Sequence, residues 1–492
     1  MVNWWMKLLE DVCSLPGVHG VTTDSRKVAP GIVFVAVKGS NHDGHASIAD
    51  ALHRGAAAVV AERAAEFPVS VPFVVVANAR LAFAQCVRAL HGTEARIKNM
   101  YAVTGTNGKT TCATILEQMF LSVGRRTGFI GTTGNRYAGS TRDTQYTTPH
   151  ADALYELFRD MRVHGIDTVC MEVSSHALDQ HRVWGLPFTG ALFTNLTRDH
   201  LDYHHTMENY AKAKKRLFDD LHADSFAVLN GDSEWTPFMK RDCKAKLILT
   251  VGRDEGSVYT INTTELHVTG TAFSLTRRAT THNNLPEVIH LRTKLLGDFN
   301  VMNAALCAVA ALADGMEGDA VVQALAKVKG PAGRMERYVL PNGALAIVDY
   351  AHTPDALEST LRVLRSLHRT SSANHKIHVV FGCGGDRDKG KRPDMGRIAG
   401  IYADVVWITT DNPRTENPAD IARDIIGGIE GAALQRTEIV LDRATAIHTA
   451  LSAAAPTDIV LIAGKGHEEY QVVGTERLRF SDAEHVRAFG GQ

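Results

Sequence analysis

The segment Thr104-Gly105-Thr106-Asn107-Gly108-Lys109-Thr110-Thr111 carries the plainest chemical signal in the chain. Glycines at this spacing let backbone N–H groups converge on an anion at the start of a helix. Lys109 would then reach the terminal phosphates of a nucleotide, and the Thr110 hydroxyl would serve Mg2+. A full Walker loop has glycine at position 103, where this chain has Val103, so the loop is an abbreviated variant; the bland alternative is a tight strand-to-helix turn. A metal on phosphates needs a few hard ligands. Glu172, in Met171-Glu172-Val173, and Asp199-His200 offer them after apolar runs. His200 and His204 are four apart in HLDYHH, but the Glu of a zinc-binding HExxH is missing, so no zinc site is expected. On a helical wheel of MENYAKAKKRLF, Tyr210, Ala213, Lys214, Leu217 and Phe218 share one arc, with Lys212, Lys215 and Arg216 opposite. Lys214 is thus a cation on an apolar face, which is costly unless it is paired, neutralised or snorkelling at the rim. Last, Asp411-Asn412-Pro413-Arg414 follows the run VVWIT, setting an acid, an amide and an arginine at the mouth of a strand. Read alone, it is an Asx–Pro turn.

Parallel sheets would position these groups. Short β-branched runs, each followed by a Gly-rich or polar turn, recur in the segments 31–39, 56–63, 71–79, 100–111, 167–176, 190–200, 225–232, 246–252, 343–355, 376–388, 404–414 and 458–469, with helical patterns between them. Strands alternating with helices predict α/β domains with covered parallel sheets, and ligands bind where such strands end. After the loop, Cys112, Ile115, Leu116, Met119, Phe120 and Val123 recur at helical spacing up to Gly124. The stretch 255–295 is rich in Thr and Val and predicts a small antiparallel piece. A length of 492 residues suits two to four domains. Breaks are expected near 92–100 and 327–338, giving domains 1–97, 98–329 and 330–492. With 53 basic and 54 acidic residues, no charge excess points to nucleic acid or a membrane surface. The seven scattered cysteines contain no CxxC pair and suit a reducing compartment. No export signal or apolar run of membrane-spanning length is visible, so a cytoplasmic location is expected.

Ten motifs occur in order: TGTNGKTT, MEVSSHALDQHR, TNLTRDHLDYHH, YAKAKKRLF, LLGDFNVMNAA, GRMER, DYAHTPDAL, GCGGDRDKGKRP, TTDNPRTENP and AGKGHEEYQ. Together with TTDSRKVAPGIVFVAVKG near the start, they resemble the Mur ligases over essentially the whole chain. The resemblance implies a three-domain α/β enzyme: a UDP-MurNAc-binding domain, a central P-loop ATPase domain and a C-terminal Rossmann-like domain. It implies that ATP activates the D-Glu side-chain carboxylate of UDP-MurNAc-L-Ala-D-Glu as an acyl phosphate, which an amine then attacks. By resemblance, Gly105, Thr106, Asn107, Gly108, Lys109, Thr110, Thr111, Asn300, Asn303 and Arg334 bind ATP. Thr110, Glu172, His200 and Lys214 bind Mg2+, Lys214 as a carbamate formed from CO2, and Lys109, Glu172, His200 and Lys214 are the catalytic set. Thr23, Ser25, Ser40, Asn41 and His42 align with the uridine-sugar pocket, and Thr147, Thr148, Ser174, Gln180 and Arg182 with dipeptide contacts. Tyr146 stands where several relatives carry Asn. Arg387, Asp411, Asn412, Pro413, Arg414, Gly464 and Glu468 match a pocket for meso-diaminopimelate, with Arg414 and Arg387 for its second carboxylate and Asp411, Asn412 and Glu468 as acceptors for an ammonium. A monomer is expected, with domains that approach during the reaction. The rivals are a lysine-adding relative, a folylpolyglutamate synthase, which leaves the TTDSR section unexplained, and a nucleotide-binding regulatory protein without chemistry.

Overall fold

The structure is a computed structural model that describes residues 4–39, 42–65, 69–267, 270–278, 285–370 and 375–491. The chain divides into two compact units, one of residues 1–261, 276–287 and 305–324, the other of 262–275, 288–304 and 325–492.

The first unit opens with a four-stranded parallel sheet, β1 (Gly20–Thr22), β2 (Ile32–Val35), β3 (Ala58–Ala61) and β4 (Phe73–Val75), paired in chain order. Its larger sheet contains β5 (Asn99–Thr104), β6 (Thr127–Gly131), β7 (Gly134–Tyr137), β8 (Ser140–Arg142), β9 (Thr168–Glu172), β10 (Gly190–Phe193), β11 (Phe226–Asn230) and β12 (Leu247–Gly252). These run in the order β12-β11-β10-β5-β9-β6-β7-β8, parallel from β12 to β6 and antiparallel in the two hairpin pairs at the edge. The five residues of β9 and the four of β10 are all buried, as strands covered on both faces must be. Crossovers put β5 between β10 and β9, so the loops leaving these three strands share one edge.

The stretch 255–295 forms β13 (Tyr259–His267), β14 (Gly270–Arg277) and β15 (Val288–Thr293). Its first pairing, Val251 with Tyr259, is parallel to β12 rather than antiparallel. The helix Lys109–Ser122 buries Cys112, Ile115, Leu116, Met119 and Phe120 as the spacing predicts, but it ends before Val123, which is exposed.

The second unit is built on β16 (Glu336–Val339), β17 (Leu345–Asp349), β18 (Ile377–Phe381), β19 (Val405–Ile408), β20 (Thr437–Ile439) and β21 (Ile459–Ala463), in the order β16-β17-β21-β18-β19-β20. All pairs are parallel except β16 with β17. A hairpin, β22 (Tyr470–Val473) with β23 (Glu476–Arg479), follows. Loops after β17, β18, β19 and β21 therefore leave one sheet edge. The helix Pro418–Ile426 starts where its sequence says it must: Asn417 caps the N–H of Ala419, and Pro418 occupies the first turn, where no N–H is needed. Among the described residues, no helix is long and apolar enough to cross a membrane.

Candidate active site

In the first unit, β5 feeds a loop of four residues into the helix that begins at Lys109. Both glycines are needed. Gly108 has φ +86°, and a Cβ on Gly105 would stand 1.9 Å from Thr194 Oγ1. Neighbouring strand ends pin the loop: Asn107 N–H donates to Asn195 Oδ1 (2.9 Å) and Thr194 Oγ1 donates to the Asn107 carbonyl (2.5 Å). Lys109 Nζ donates to the carbonyls of Gly105 and Thr106, each at 2.8 Å. The ammonium is folded onto the loop that phosphates would enter.

Three further groups meet this loop. Glu172, at the buried end of β9, accepts from Thr110 Oγ1 (2.9 Å), from Thr132 Oγ1 (3.2 Å) and from the Thr132 N–H (2.7 Å). A Cβ at position 131 would come within 2.2 Å of that carboxylate, so Gly131 makes room for it. Lys214 is fully buried; its Nζ donates to the Gly105 carbonyl (2.8 Å) and lies 4.5 Å from the Tyr210 ring centroid. Burial first, and the charge of Lys109 second, push its pKa well below the ordinary lysine range. His200 sits in the left-handed region (φ +53°), 3.4 Å from Asp199. Burial, helped by Lys109 and Lys214, lowers its pKa despite Asp199. The helix bearing Lys214 is capped by Thr206, as its buried arc demands, but Lys215 is buried too: its Nζ bonds Asp219 and the Arg241 carbonyl. The wheel had placed Lys215 outside because it counts faces of one helix and not the neighbouring chain that closes over it.

Thr147, Thr148, Ser174, Gln180 and Arg182 form one network beside Glu172. Thr148 Oγ1 donates to the Glu172 carbonyl (2.9 Å) and accepts from the Ser174 N–H (3.0 Å). Arg182 donates to the Thr148 carbonyl (2.8 Å) and grips Gln180 Oε1, and the Thr147 and Thr132 hydroxyl oxygens lie 3.2 Å apart. Tyr146 lies under the Arg182 guanidinium, 4.8 Å from centroid to Cζ. Thr23, Ser25 and His42 sit on the other sheet, in loops that leave the C-terminal ends of the neighbouring strands β1 and β2. Ser40 and Asn41 lie outside the described residues.

The second unit gathers its own cluster. Arg414 has φ +51°, fixed by the first hairpin strand: its N–H donates to the Val472 carbonyl (3.1 Å) and its carbonyl accepts from Gly474 (2.8 Å). Its guanidinium donates to the Gly385 carbonyl (2.8 Å). Pro413 packs so close that a Cβ on Gly385 would stand 1.9 Å from its carbonyl oxygen. Glu416 ties the same two loops, accepting the Asp386 N–H (2.6 Å) and a bidentate grip from the buried Arg392 (3.0 Å each). Arg392 first, then the Asp386 N–H, hold its pKa down at about 2. Arg387 is exposed at the tip of that loop. Asp411, Asn412 and Glu468 surround a group that sequence reasoning passed over, the fully buried Lys465, at 3.3, 3.0 and 3.4 Å. Burial, with Asp411 alongside, raises the Glu468 pKa against the pull of Lys465. The signal was present, a lysine between two glycines at the end of an apolar strand in AGKGHEE. Gly464 has φ +115° and donates to the Asp349 carbonyl (3.1 Å). Arg334 stacks on Tyr350 at 4.3 Å, and its neighbour Gly333 packs on Gly466. Asn300 and Asn303 are buried and bonded to each other (3.1 Å).

Comparison with known proteins gives the family of the chain. Residues 17–100 match the Mur ligase family catalytic domain, 103–312 the Mur ligase middle domain, and 333–466 the Mur ligase glutamate ligase domain. A Geobacillus kaustophilus protein named UDP-N-acetylmuramoyl-L-alanyl-D-glutamate–2,6-diaminopimelate ligase is 41% identical over 499 residues, covering 98% of this chain and 99% of its own. A solved structure of a ligase with that name superposes with a TM-score of 0.69 at 34% identity, covering 96% of this chain and 94% of that one. The MurF ligase of Thermotoga maritima, solved with ADP, shares the fold at a TM-score of 0.58 and 19% identity, covering 91% and 94%. Matched along almost its whole length at this level of identity, the chain belongs to the Mur ligase family.

Proposed function

We infer that this chain is an ATP-dependent ligase that joins meso-2,6-diaminopimelate to UDP-N-acetylmuramoyl-L-alanyl-D-glutamate, the activity for which its Geobacillus relative is named. The observation that carries the choice of amino acid is the Asp411–Arg414 loop, which bears a guanidinium on a fixed backbone and, three residues before it, a carboxylate that shares Lys465 with Glu468. The far end of diaminopimelate has both an ammonium and a carboxylate. L-Lysine lacks that carboxylate and would leave the Arg414 fork without its partner. A site built around such a pairing rejects the analogue lacking it by up to about 10⁴–10⁵.

The chemistry is phosphoryl transfer followed by acyl transfer. The γ-phosphoryl group of ATP passes to the D-Glu side-chain carboxylate, releasing ADP. The amine of diaminopimelate attacks the acyl carbon, inorganic phosphate departs, the nitrogen loses a proton and an amide remains. Such transfers are catalysed mainly by positioning and charge neutralisation. The N–H groups of the loop and first helical turn not already bonded to Asn195, with Lys109, would take the phosphates, Lys109 exchanging two loop carbonyls for phosphate oxygens. Asn300, Asn303 and Arg334 would serve the nucleotide. Thr23, Ser25 and His42, with Ser40 and Asn41, would hold the uridine-sugar end, and the Thr147–Arg182 network the dipeptide. The donor set fits Mg2+: Thr110 and Glu172 offer hard oxygens 2.9 Å apart, and His200 offers an imidazole nitrogen. Bound there, Mg2+ would neutralise charge on the transferring phosphoryl group. Lys214 fits a carbamate, because a neutral buried amine is the form that adds to CO2. We assign the reaction to the cytoplasm and to a monomer.

The test is the mass of the product made from ATP, Mg2+, UDP-dipeptide and an equimolar mixture of diaminopimelate and lysine. Product carrying diaminopimelate is expected. Comparable kcat/KM for lysine would overturn the amino-acid assignment, and ATP hydrolysis independent of both acceptors would overturn the ligase.

A further inference from the structure

Lys465 presents its three N–H bonds to three acceptors drawn from two loops: Asp411 Oδ1 (3.3 Å), Asn412 Oδ1 (3.0 Å) and Glu468 Oε2 (3.4 Å). Asn412 is used up by the protein. Its Oδ1 also accepts the Val472 N–H (3.0 Å), and its Nδ2 donates to Glu468 Oε2 (3.1 Å). Each carboxylate thus has one oxygen committed to Lys465, while Asp411 Oδ2 and Glu468 Oε1 have no hydrogen bond among the described residues. Lys465 is wholly buried, whereas the side chains of Asp411 and Glu468 remain 11% and 17% exposed. The open oxygens belong to the groups that reach the surface, and the cation lies behind them. Two carboxylates and one lysine leave a net charge of one negative, enough for one incoming ammonium.

We propose that Lys465 is a positioning residue for the amino-acid site, which turns the free oxygens of Asp411 and Glu468 toward the distal ammonium of the substrate and leaves that subsite a single net negative charge. Asn412 then acts as scaffold and not as a direct acceptor. The proposal rests on the diaminopimelate reading of the site. It differs from a purely structural role in what it predicts: only the amino-acid step senses the lysine. Without its charge, the two carboxylates repel each other, one takes a proton, and the pair loses its grip on an ammonium. Removing a group that orients the direct ligands of a metal costs about 10–100-fold in affinity, and a loss of the same order is expected where the oriented groups hold an ammonium.

The experiment compares wild type, Lys465→Gln and Lys465→Arg, measuring KM for diaminopimelate, ATP and UDP-dipeptide separately, with ADP binding as the check on folding. Wild-type turnover with diaminopimelate is measured first, and its absence would defeat the functional reading before any variant is made. Lys465→Gln should raise KM for diaminopimelate about 10–100-fold, leaving the other two KM values within about threefold. Lys465→Arg, which keeps the charge, should recover most of the loss. An unchanged KM for diaminopimelate in Lys465→Gln, or a parallel rise in all three, would overturn the proposal. If Lys465→Gln no longer binds ADP, Lys465→Arg decides: a near-normal KM for diaminopimelate supports the role, and a rise shared by all substrates refutes it.

Discussion

Replacing Asp482 by Asn removes one charge from the most deeply buried ion pair of the second unit. Arg443 and Asp482 are both 0% exposed, joined by Nε–Oδ1 and Nη2–Oδ2 bonds of 2.7 Å each. The same Nη2 donates to the Ala463 carbonyl (3.0 Å), the last residue of β21 before Gly464 and Lys465. Asparagine keeps the shape but turns an N–H2 group toward a guanidinium that can only donate. Breaking one side of such a pair typically costs about 3–5 kcal/mol, because the remaining charge is stranded out of water. A unit of about 200 residues loses roughly 2–4 °C of Tm per kcal/mol, so its unfolding transition should fall by roughly 6–20 °C. Differential scanning calorimetry of the variant against wild type measures how far that transition moves. The double variant Arg443→Met with Asp482→Leu removes both charges and should recover most of the loss. A shift below about 2 °C in Asp482→Asn, or a double variant less stable than the single one, would refute the view that the pair is held by mutual compensation. Residual activity should show a raised KM for diaminopimelate, since the end of β21 carries Lys465.

Gly105→Ala drives a methyl to within 1.9 Å of Thr194 Oγ1, so ADP binding should fall at least tenfold by calorimetry with little change in the second unit's melting. Gly385→Ala meets the Pro413 carbonyl at 1.9 Å and should displace the Arg414 loop, raising KM for diaminopimelate but not for ATP in steady-state assays. Lys214→Arg keeps a permanent cation that cannot add CO2, and should lower kcat at least about 100-fold while ADP still binds; half-normal turnover would exclude a required carbamate. Glu416 has its pKa lowered to about 2, so its contribution to stability is present above the unfolded value of 4.5 and is lost as pH falls through about 2. Glu416→Gln should therefore be less stable than wild type in denaturant titrations at pH 7, with the difference shrinking below pH 4.5.

Twelve apolar runs found in the sequence all contain strands, because a strand buried on both faces must be continuously apolar over its few residues. The strands that escaped notice lack that signature. In β8 and β23 every residue is exposed; β7, paired on both sides, has polar residues at its centre; and β6, buried throughout, is broken by Thr127, Gly128 and Gly131. The same limit governs the candidate site. The phosphate loop is legible because glycine spacing reports backbone geometry directly. Thr132, Thr194 and Asn195 are not, since each acts by meeting a group 40 to 88 positions away, across strands that neighbour in space only.

Lys214 and Lys465 make the point most sharply. Both are wholly buried, and burial alone would push either amine toward the neutral form. Lys214 meets one carbonyl, one ring and a second lysine, with no carboxylate in hydrogen-bonding range among the described residues, so desolvation wins and its pKa falls. Lys465 meets two carboxylates and an amide oxygen instead. The helical period flags the first lysine as misplaced; the second is marked only by its place between two glycines at the end of an apolar strand, which says nothing of its partners. What separates a reactive amine from a fixed cation is the sign of the groups that the fold brings to each, and those come from other strands.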